Sequence, residues 1–218
     1  MDLSADYRFD DSWVYGLPEL YGRAAITGAT RISNPGCYAT AGQLAVAPMR
    51  EALSGPAHLF GVSGYSGAGT TPNRRNDEEA LRDNLMPYAL MGHIHEREMS
   101  RHLGREVRFS PHVAAFFRGI VLTVQMEFAR SITAEAFRSA YETAYGDEPL
   151  IRVQDEAPEV IEGANNPGAV VGGFALSEDG RRGVMVCALD NLLKGAAVQA
   201  MQNLCLGLRL SEFEPRSA

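Results

Sequence analysis

The chain has 218 residues, of which 45% are hydrophobic, so it is long enough to bury the core of one large domain. Its net charge of −7 disfavours nucleic acid or an anionic membrane as the main partner. Three widely spaced cysteines (Cys37, Cys187 and Cys205), no run approaching the roughly 18 apolar residues of a spanning helix and no basic signal sequence predict a reduced, cytoplasmic protein.

The first half of the chain predicts strands and helices separated by glycine-rich loops. The predicted elements are, in order, a strand at 25–32, a helix from Cys37 to about Leu53, a strand at 57–64, a loop at 65–72, a loop with a short helical turn at 76–85 and a polar helix from His95 to Leu103. A sharp Pro-Gly turn therefore leads from a strand into the helix that begins at Cys37.

The second half is richer in strands. Strands are predicted at 107–117, 119–129, 150–153, 169–176 and 183–189, with the turn residues Asp179-Gly180 joining the last two as a hairpin. Helices are predicted at 134–145, with Thr133 as N-cap and Gly146 as stop, and at about 192–208. Hairpin-linked strands with helices between them predict an α+β fold, in which a mixed, mostly antiparallel sheet carries helices on one face.

Cys37 is the first candidate for chemistry. It follows Gly36 at a predicted helix start, where backbone N–H groups lack intrahelical partners and the helix dipole is positive. These groups stabilise a thiolate, which is the nucleophilic form of cysteine. The alternative is that Cys37 is a small buried hydrophobe, as most free cysteines are.

The glycine-rich loop Gly64–Gly69 does not have the spacing of a dinucleotide-binding fingerprint, and Thr71-Pro72 follows where a helix would have to begin. It lacks the Gly-Lys-Ser/Thr of a phosphate-binding Walker loop as well. Its N–H groups are suited to hold an oxyanion or a phosphate. The alternative is an ordinary tight turn.

The segment His93-Ile94-His95-Glu96-Arg97-Glu98 is the second candidate. In a helix that starts near His95, Glu98 lies one turn further along the same face and is placed to orient the imidazole for proton transfer. His93 is the alternative base. A metal site and a plain charged surface helix are the two other interpretations, and the metal site lacks obvious further ligands.

Several cationic side chains are available for an anionic substrate: Arg8, Arg74, Arg75, Arg97, Arg118 and Lys194. Arg118 is the most suggestive because it lies among apolar residues, and a guanidinium there needs a carboxylate or phosphate partner. Arg74 and Arg75 precede an acidic run, Asp77-Glu78-Glu79, and are interpreted as solvated ion pairs.

Taken together, these motifs resemble the N-acetyl-γ-glutamyl-phosphate reductase family. The segments that carry the resemblance occur in the family's order along the whole chain, at residues 3–8, 14–19, 33–40 (Ser-Asn-Pro-Gly-Cys-Tyr-Ala-Thr), 61–69, 93–98 and 190–197. Several motifs in order are far more specific than any one of them.

The resemblance implies a catalytic and dimerisation domain like the C-terminal domain of glyceraldehyde-3-phosphate dehydrogenases, here occupying residues 1–218. Residues 1–10 then correspond to the junction with a nucleotide-binding domain, and residues 192–210 to the C-terminal helix. Most contacts with NADP(H) are expected in a Rossmann domain that this sequence does not contain, so the chain by itself is expected to be inactive. A homo-oligomer is expected as well.

The resemblance also implies roles for individual residues. The expected catalytic residues are Cys37, His95 and Glu98; Arg8, Arg118, Ser66 and Tyr88 are expected to bind the substrate, and Gly67 and Asn191 the cofactor, with no metal. The implied reaction reduces a small acyl phosphate, through a Cys37 thioester, to a semialdehyde of the arginine pathway. Two alternatives remain: a thioester-forming hydrolase or acyltransferase with the same Cys–His pair, and a non-catalytic dimerisation module. An aminoadipyl phosphate on a carrier protein is an alternative substrate.

Overall fold

The structure is a computed structural model that describes residues 1–213, and the last five residues of the predicted domain 1–218 lie outside the described part. The strands are β1 (Val14–Tyr15), β2 (Ile32–Ser33), β3 (Ala57–Gly64), β4 (Leu85–Pro87), β5 (Val107–Ala114), β6 (Ile120–Glu127), β7 (Ile151–Val153), β8 (Ala169–Leu176) and β9 (Arg182–Leu189). The helices are α1 (Pro18–Tyr21), α2 (Arg23–Ile26), α3 (Cys37–Val46), α4 (Glu78–Leu81), α5 (Ile94–Leu103), α6 (Ala134–Tyr145), α7 (Val160–Gly163) and α8 (Val198–Gly207).

The main sheet has seven strands in the order β4-β5-β3-β6-β9-β8-β7. The pairs β3–β5 and β7–β8 are parallel, and the other four neighbouring pairs are antiparallel. β1 and β2 form a separate parallel pair next to α3. The predicted mixed, mostly antiparallel α+β fold is confirmed.

One face of the sheet carries the core. Strand residues alternate between the two faces, and the inward-facing set includes Leu59, Phe109, Leu122, Val124 and Met185, each at most 2% exposed. Helices α3, α5 and α6 supply the apolar side chains packed against them. This face therefore fixes the start of α3, and with it Cys37, over the centre of the sheet.

The opposite face of the sheet is also rich in apolar side chains. Phe60 is 44% exposed, and the neighbouring Val121, Val184 and Val186 are half-buried. Registers β3–β6 and β6–β9 place these side chains on the same face, around the half-buried Thr123. A sheet with one packed face and a group of partly exposed apolar side chains on the other is suited to cover a second protein surface.

Most of the predicted elements are confirmed, and α6 begins and ends as predicted. Thr133 caps it through a 3.0 Å bond from the Ala136 N–H, and Gly146 lies at its C-cap. The strands at 57–64 and 169–176 also have the predicted bounds. The strands predicted at 107–117 and 119–129 end earlier, at Ala114 and Glu127.

Three predicted elements need correction. The strand predicted at 25–32 is wrong, because the short helix α2 ends in a turn at Gly28 (φ +75°) and only Ile32–Ser33 pair with β1. The helix from Cys37 ends at Val46 and continues as a 3₁₀ turn, since Pro48 has no N–H to donate. The C-terminal helix begins with a π-helical turn, Leu193–Ala197, before α8.

Candidate active site

Cys37 is the first residue of α3 and is half-buried. Asn34, in the turn before it, is held on both sides: its Oδ1 accepts from Asn203 Nδ2 (2.9 Å) and its Nδ2 donates to the Ala196 carbonyl (3.3 Å). The turn is thus fastened to the C-terminal segment. The predicted location of the cysteine at a helix start, directly after a turn, is confirmed.

Two opposing effects act on the Cys37 thiol. The Tyr38 N–H and the charge of Arg8 lower its pKa, as the helix-start argument predicts. Burial is the larger effect and raises the pKa of Cys37 to about 11. The expectation of a stabilised thiolate is therefore wrong in its net direction, because the sequence does not reveal how deeply the turn is covered.

Part of that cover is the π-helical turn. A Cβ added at Gly195 would lie 2.7 Å from Cys37 Cβ, so only glycine lets this backbone pass so close to the cysteine. Lys194, beside it, is fully buried and donates to Glu19, Gln199 and Gln202. Its ammonium is used inside the fold, and π-helical turns of this kind often occur at functional sites.

His95 lies directly against the Cys37 turn. A Cβ at Gly36 would collide with His95 Nε2, so glycine at this position creates the space for the imidazole. Burial lowers the pKa of His95 to about 3, and protonation of His93 and the charge of Arg8 act in the same direction. The ring is consequently neutral at pH 7 and able to accept a proton.

His93 has a different use. It caps α5, and its Nδ1 accepts the backbone N–H of His95 at 3.1 Å. Its ring stacks edge-on against His95, with centroids 4.9 Å apart. Of the two histidines, His95 is the one next to the cysteine turn, while His93 fixes the start of the helix that carries it.

Glu98 is fully buried, but its partners are not the predicted one. Its Oε1 accepts from the Gly36 N–H (2.9 Å) and from Tyr15 Oη (2.7 Å), and its Oε2 from Arg8 Nη1 (3.2 Å). His95 Nδ1 is buried without a partner among residues 1–213. The predicted Glu98–His95 contact is wrong, because the Gly36 N–H, Tyr15 and Arg8 occupy both oxygens of the carboxylate.

Arg8, predicted to bind the substrate, is buried beneath the same turn. Besides Glu98, it donates to the carbonyls of Asn34 (2.9 Å) and Leu3 (3.1 Å). All three guanidinium nitrogens therefore have protein acceptors. These contacts fix the turn, and the substrate role of Arg8 stays a prediction.

A second cluster joins Asn191 to the glycine-rich loop. Asn191 Oδ1 accepts from the Gly119 N–H (2.8 Å), and its Nδ2 donates to Ser66 Oγ (2.9 Å). A Cβ at Gly67 would lie 2.9 Å from Ser63 Oγ, so this loop packs tightly on β3. The structure thus brings together three residues that were predicted separately: Ser66, Gly67 and Asn191.

A cavity of about 550 Å³ opens beside this cluster. Its wall is mainly apolar and is formed by Tyr65, Ser66, Gly69, Thr70, Pro72, Asn76, Phe117 and Leu192. Phe117 is 53% exposed at its rim.

Arg118, the next residue, forms an ion pair with Asp190 (Nε to Oδ2, 2.6 Å) and donates a hydrogen bond to Asn165 Oδ1 (3.0 Å). Its substrate role stays a prediction.

Tyr88 forms a further wall near the cysteine. Its ring contacts His93 edge-on at 5.6 Å, and the Arg75 guanidinium lies 5.0 Å from its centroid. Burial and the nearby Cys37 raise the pKa of Tyr88 to about 12, so it is a neutral hydrogen-bond donor at pH 7. The interpretation of Arg75 as a solvated ion pair missed this position, because no residue pattern places a loop arginine over a tyrosine 13 residues later.

Two observations bear on the other classes of protein. Among residues 1–213, no three His, Cys, Asp or Glu side chains converge as metal ligands, and the His93–Glu98 segment contributes to none. No helix in the described part of the chain is both long and apolar enough to cross a membrane.

Comparison with known proteins gives consistent matches. Residues 37–191 match the model of the semialdehyde dehydrogenase dimerisation domain, a stretch that runs from the candidate nucleophile to Asn191. The chain is 58% identical over 98% of its length to the N-acetyl-gamma-glutamyl-phosphate reductase of Stenotrophomonas maltophilia and 57% identical to that of Xanthomonas campestris, spanning 67% of each. It is 52% identical to a mitochondrial protein of Neurospora crassa, Protein arg-6, and spans 25% of it.

Solved structures agree on the fold. Aspartate semialdehyde dehydrogenase II of Vibrio cholerae superimposes with a TM-score of 0.78 at 18% identity, over 95% of this chain and 72% of that one. The enzyme of Francisella tularensis gives 0.71 at 16% identity, over 93% of this chain and 73% of that one. At such identities the likeness concerns the fold, which matches the sheet and helix arrangement described above.

Proposed function

This chain belongs to the N-acetyl-gamma-glutamyl-phosphate reductase family, and we propose that it reduces N-acetyl-γ-glutamyl phosphate to N-acetylglutamate semialdehyde and phosphate in arginine biosynthesis. One observation carries the proposal. The neutral His95 imidazole lies against the turn that presents Cys37, within a chain 58% identical to a relative of that name. We place the reaction in the cytoplasm.

The first step is acyl transfer to Cys37. His95 takes the thiol proton as the sulfur attacks the acyl carbonyl carbon; the carbon–oxygen bond to phosphate breaks, and phosphate leaves with the bonding electrons. The product is a thioester on Cys37. Dividing a difficult reduction into two easier steps is the usual advantage of a covalent nucleophile. Because the pKa of Cys37 is raised to about 11, the proton must move during the attack rather than before it.

The start of α3 supplies donors for the oxyanion that forms during this step. The first N–H groups of a helix lack intrahelical acceptors, and that of Tyr38 already faces the Cys37 sulfur. Fixed donors of this kind stabilise developing negative charge without reorganisation. Glu98 and Arg8 act through position: they hold the Gly36 N–H and the turn, so that the donors remain aimed.

NADPH, when bound, supplies the hydride that reduces the thioester. The residues beside the 550 Å³ cavity fit a nicotinamide ring, since its wall is mainly apolar. Asn191 and Gly67 adjoin its lining residues Leu192 and Ser66, and Asn191 Nδ2 donates to Ser66 Oγ. We assign Asn191 and Gly67 to the cofactor, and Ser66, Tyr88, Arg8 and Arg118 to the substrate. As the carbon–sulfur bond breaks and the aldehyde is released, His95 returns its proton to the Cys37 sulfur.

The open face of the sheet supports self-association. We infer that two copies of the chain pair through the patch around Phe60, Val121, Val184 and Val186, in line with the family's description as a dimerisation domain. Sedimentation of Phe60→Asp is expected to show a shift toward monomer, because a carboxylate in the patch would be desolvated on pairing. An unchanged oligomer would place the interface elsewhere.

Thioester formation precedes hydride transfer and needs no nucleotide, so it tests the proposed reaction even in a chain that is expected to be inactive in the complete reduction. Intact-mass analysis after incubation with N-acetyl-γ-glutamyl phosphate is expected to show one hydroxylamine-labile acyl group, located on Cys37 and absent from Cys37→Ala. Cys187→Ala is the matched control, since that thiol is buried in the core and its pKa is raised to about 12. No adduct, or an adduct on Cys187 or Cys205, would contradict the proposal.

A further inference from the structure

The side chain of Arg75 is not used by the reaction as described above. We propose that Arg75 binds an oxyanion of the substrate, its carboxylate or its phosphate, and so helps to select an anionic acyl phosphate. The proposal rests on the function proposed for Cys37 and His95, and adds a recognition residue to that site.

Arg75 lies on the same wall as the candidate base. Its guanidinium carbon is 5.0 Å from the Tyr88 ring centroid, the Tyr88 ring is 5.6 Å from His93, and His93 is 4.9 Å from His95. The charge of Arg75 lowers the pKa of Tyr88, which burial raises, and lowers the pKa of His93 in the same direction as burial does. The guanidinium therefore acts electrically on the site that contains Cys37.

The Arg75 guanidinium has no acidic partner among residues 1–213. The guanidinium Nε donates to Asn73 Oδ1 at 3.3 Å, and the Arg75 backbone N–H donates to the same oxygen at 3.0 Å. The two terminal nitrogens keep their donors, and a guanidinium fork matches the geometry of a carboxylate or phosphate. Arg8 and Arg118 differ in this respect, since buried carboxylates already pair with both.

The acidic residues next in sequence are engaged elsewhere, which explains why Arg75 stays unpaired. Asp77 accepts the N–H groups of Glu79 and Ala80 at the start of α4. Glu78 accepts from Tyr65 Oη at 3.0 Å, and Glu79 pairs with Arg82 at 2.8 Å. The acidic run thus organises its own loop and leaves the guanidinium available.

The loop also holds the guanidinium in place. Asn73 and Asn76 form a reciprocal cap on the 3₁₀ turn that carries Arg75. The Asn73 side chain accepts the Arg75 N–H, and the Asn76 side chain accepts the Asn73 N–H. A cation over an aromatic face is attracted by the ring electrons, and more strongly where water is excluded. A guanidinium fixed in this way loses little freedom when an anion binds.

Protection of Cys37 from alkylation tests the proposal with the chain as it is. Cys37 modification by iodoacetamide is followed by intact mass at increasing concentrations of N-acetyl-L-glutamate in one arm and inorganic phosphate in the other. We expect at least one of the two to protect the unchanged chain. In Arg75→Gln the half-protecting concentration of that probe should rise about tenfold or more, as loss of a charge-assisted pair implies.

Two variants serve as controls. Arg74→Gln changes the exposed neighbouring arginine and should leave protection unchanged. Arg75→Lys keeps the charge without the fork and should restore part of it. The arm that loses protection identifies the oxyanion as carboxylate or phosphate.

The two possible failures are distinguishable. Protection that survives in Arg75→Gln would overturn the assignment of Arg75 alone. No protection of the unchanged chain by either probe would overturn the proposed substrate class as well. If Cys37 of Arg75→Gln is alkylated without a probe at the same rate as in the unchanged chain, the Cys37 turn of the variant is intact.

Discussion

The two sides of the candidate site are built in opposite ways. Beneath Cys37, the Glu98 carboxylate, Arg8, Tyr15 and the Gly36 N–H satisfy one another in the protein interior. Across the site, the loop from Ser66 to Arg75 is half-exposed. The terminal nitrogens of the Arg75 guanidinium have no acidic partner among residues 1–213.

The difference separates positioning from recognition. A buried network whose members are all paired is rigid, and removing one member exposes the rest to an uncompensated desolvation cost. A loop with open donors has little to lose from a substitution until a ligand arrives. Substitutions on the first side should therefore change the free energy of unfolding, and those on the second side should change ligand affinity.

The largest effect is expected for Glu98→Ala. It leaves the Arg8 guanidinium buried without its carboxylate, which typically costs about 3–5 kcal/mol. Urea denaturation followed by circular dichroism measures the loss. Glu98→Gln keeps an acceptor for Gly36 and should lose less, and equal losses in the two variants would mean that the charge of Glu98 is unimportant.

Acid should expose the contribution of His95. Its pKa is about 3 in the folded chain, below its ordinary value of about 6.5, so the unfolded state takes up the proton first as the pH falls. The stability that depends on the neutral ring is complete above about pH 6.5 and is lost toward pH 3, by about 2 kcal/mol at pH 5.

His95→Asn removes this part of the pH dependence. The denaturation midpoints at pH 7 and pH 5 should differ less in His95→Asn than in the unchanged chain. A parallel acid dependence in both proteins would show that His95 titrates normally in the folded state.

The smallest pair of effects contrasts two tyrosines. Tyr15→Phe removes one donor from the buried Glu98 and should cost about 1 kcal/mol of unfolding free energy. Tyr65→Phe removes the exposed bond to Glu78 and should change stability by less than about 0.5 kcal/mol. Thermal unfolding of both variants measures the contrast, and equal losses would remove the distinction between the two sides.

The sequence predicted local features well. The turn before Cys37, the bounds of α6 with its Thr133 cap and the strand at 57–64 all follow from residues near one another along the chain. Such signals reflect backbone geometry and periodicity, which act over a few residues. The strand predicted at 25–32 is wrong except at Ile32, because apolar alternation does not reveal where the pairing with a partner strand begins.

Long-range partners were the part that the sequence did not give. Helix spacing predicts a contact between Glu98 and His95, whereas residues about 60 to 90 positions earlier in the chain donate to both Glu98 oxygens. The acidic run next to Arg75 predicts solvated ion pairs, whereas the fold places the Arg75 guanidinium over the Tyr88 ring. In both cases the observed partner is not the nearest residue in sequence but one that the fold brings close.

The rate of Cys37 acylation against pH tests the central claim most directly. If His95 takes the proton during attack, the thiol–imidazole pair keeps one state between its two pKa values, about 3 and about 11. The unchanged chain should then react with N-acetyl-γ-glutamyl phosphate at a nearly constant rate from about pH 5 to pH 9. His95→Gln should react slowly and gain about tenfold per pH unit, since only preformed thiolate attacks. A tenfold gain per unit in the unchanged chain as well would contradict a base role for His95.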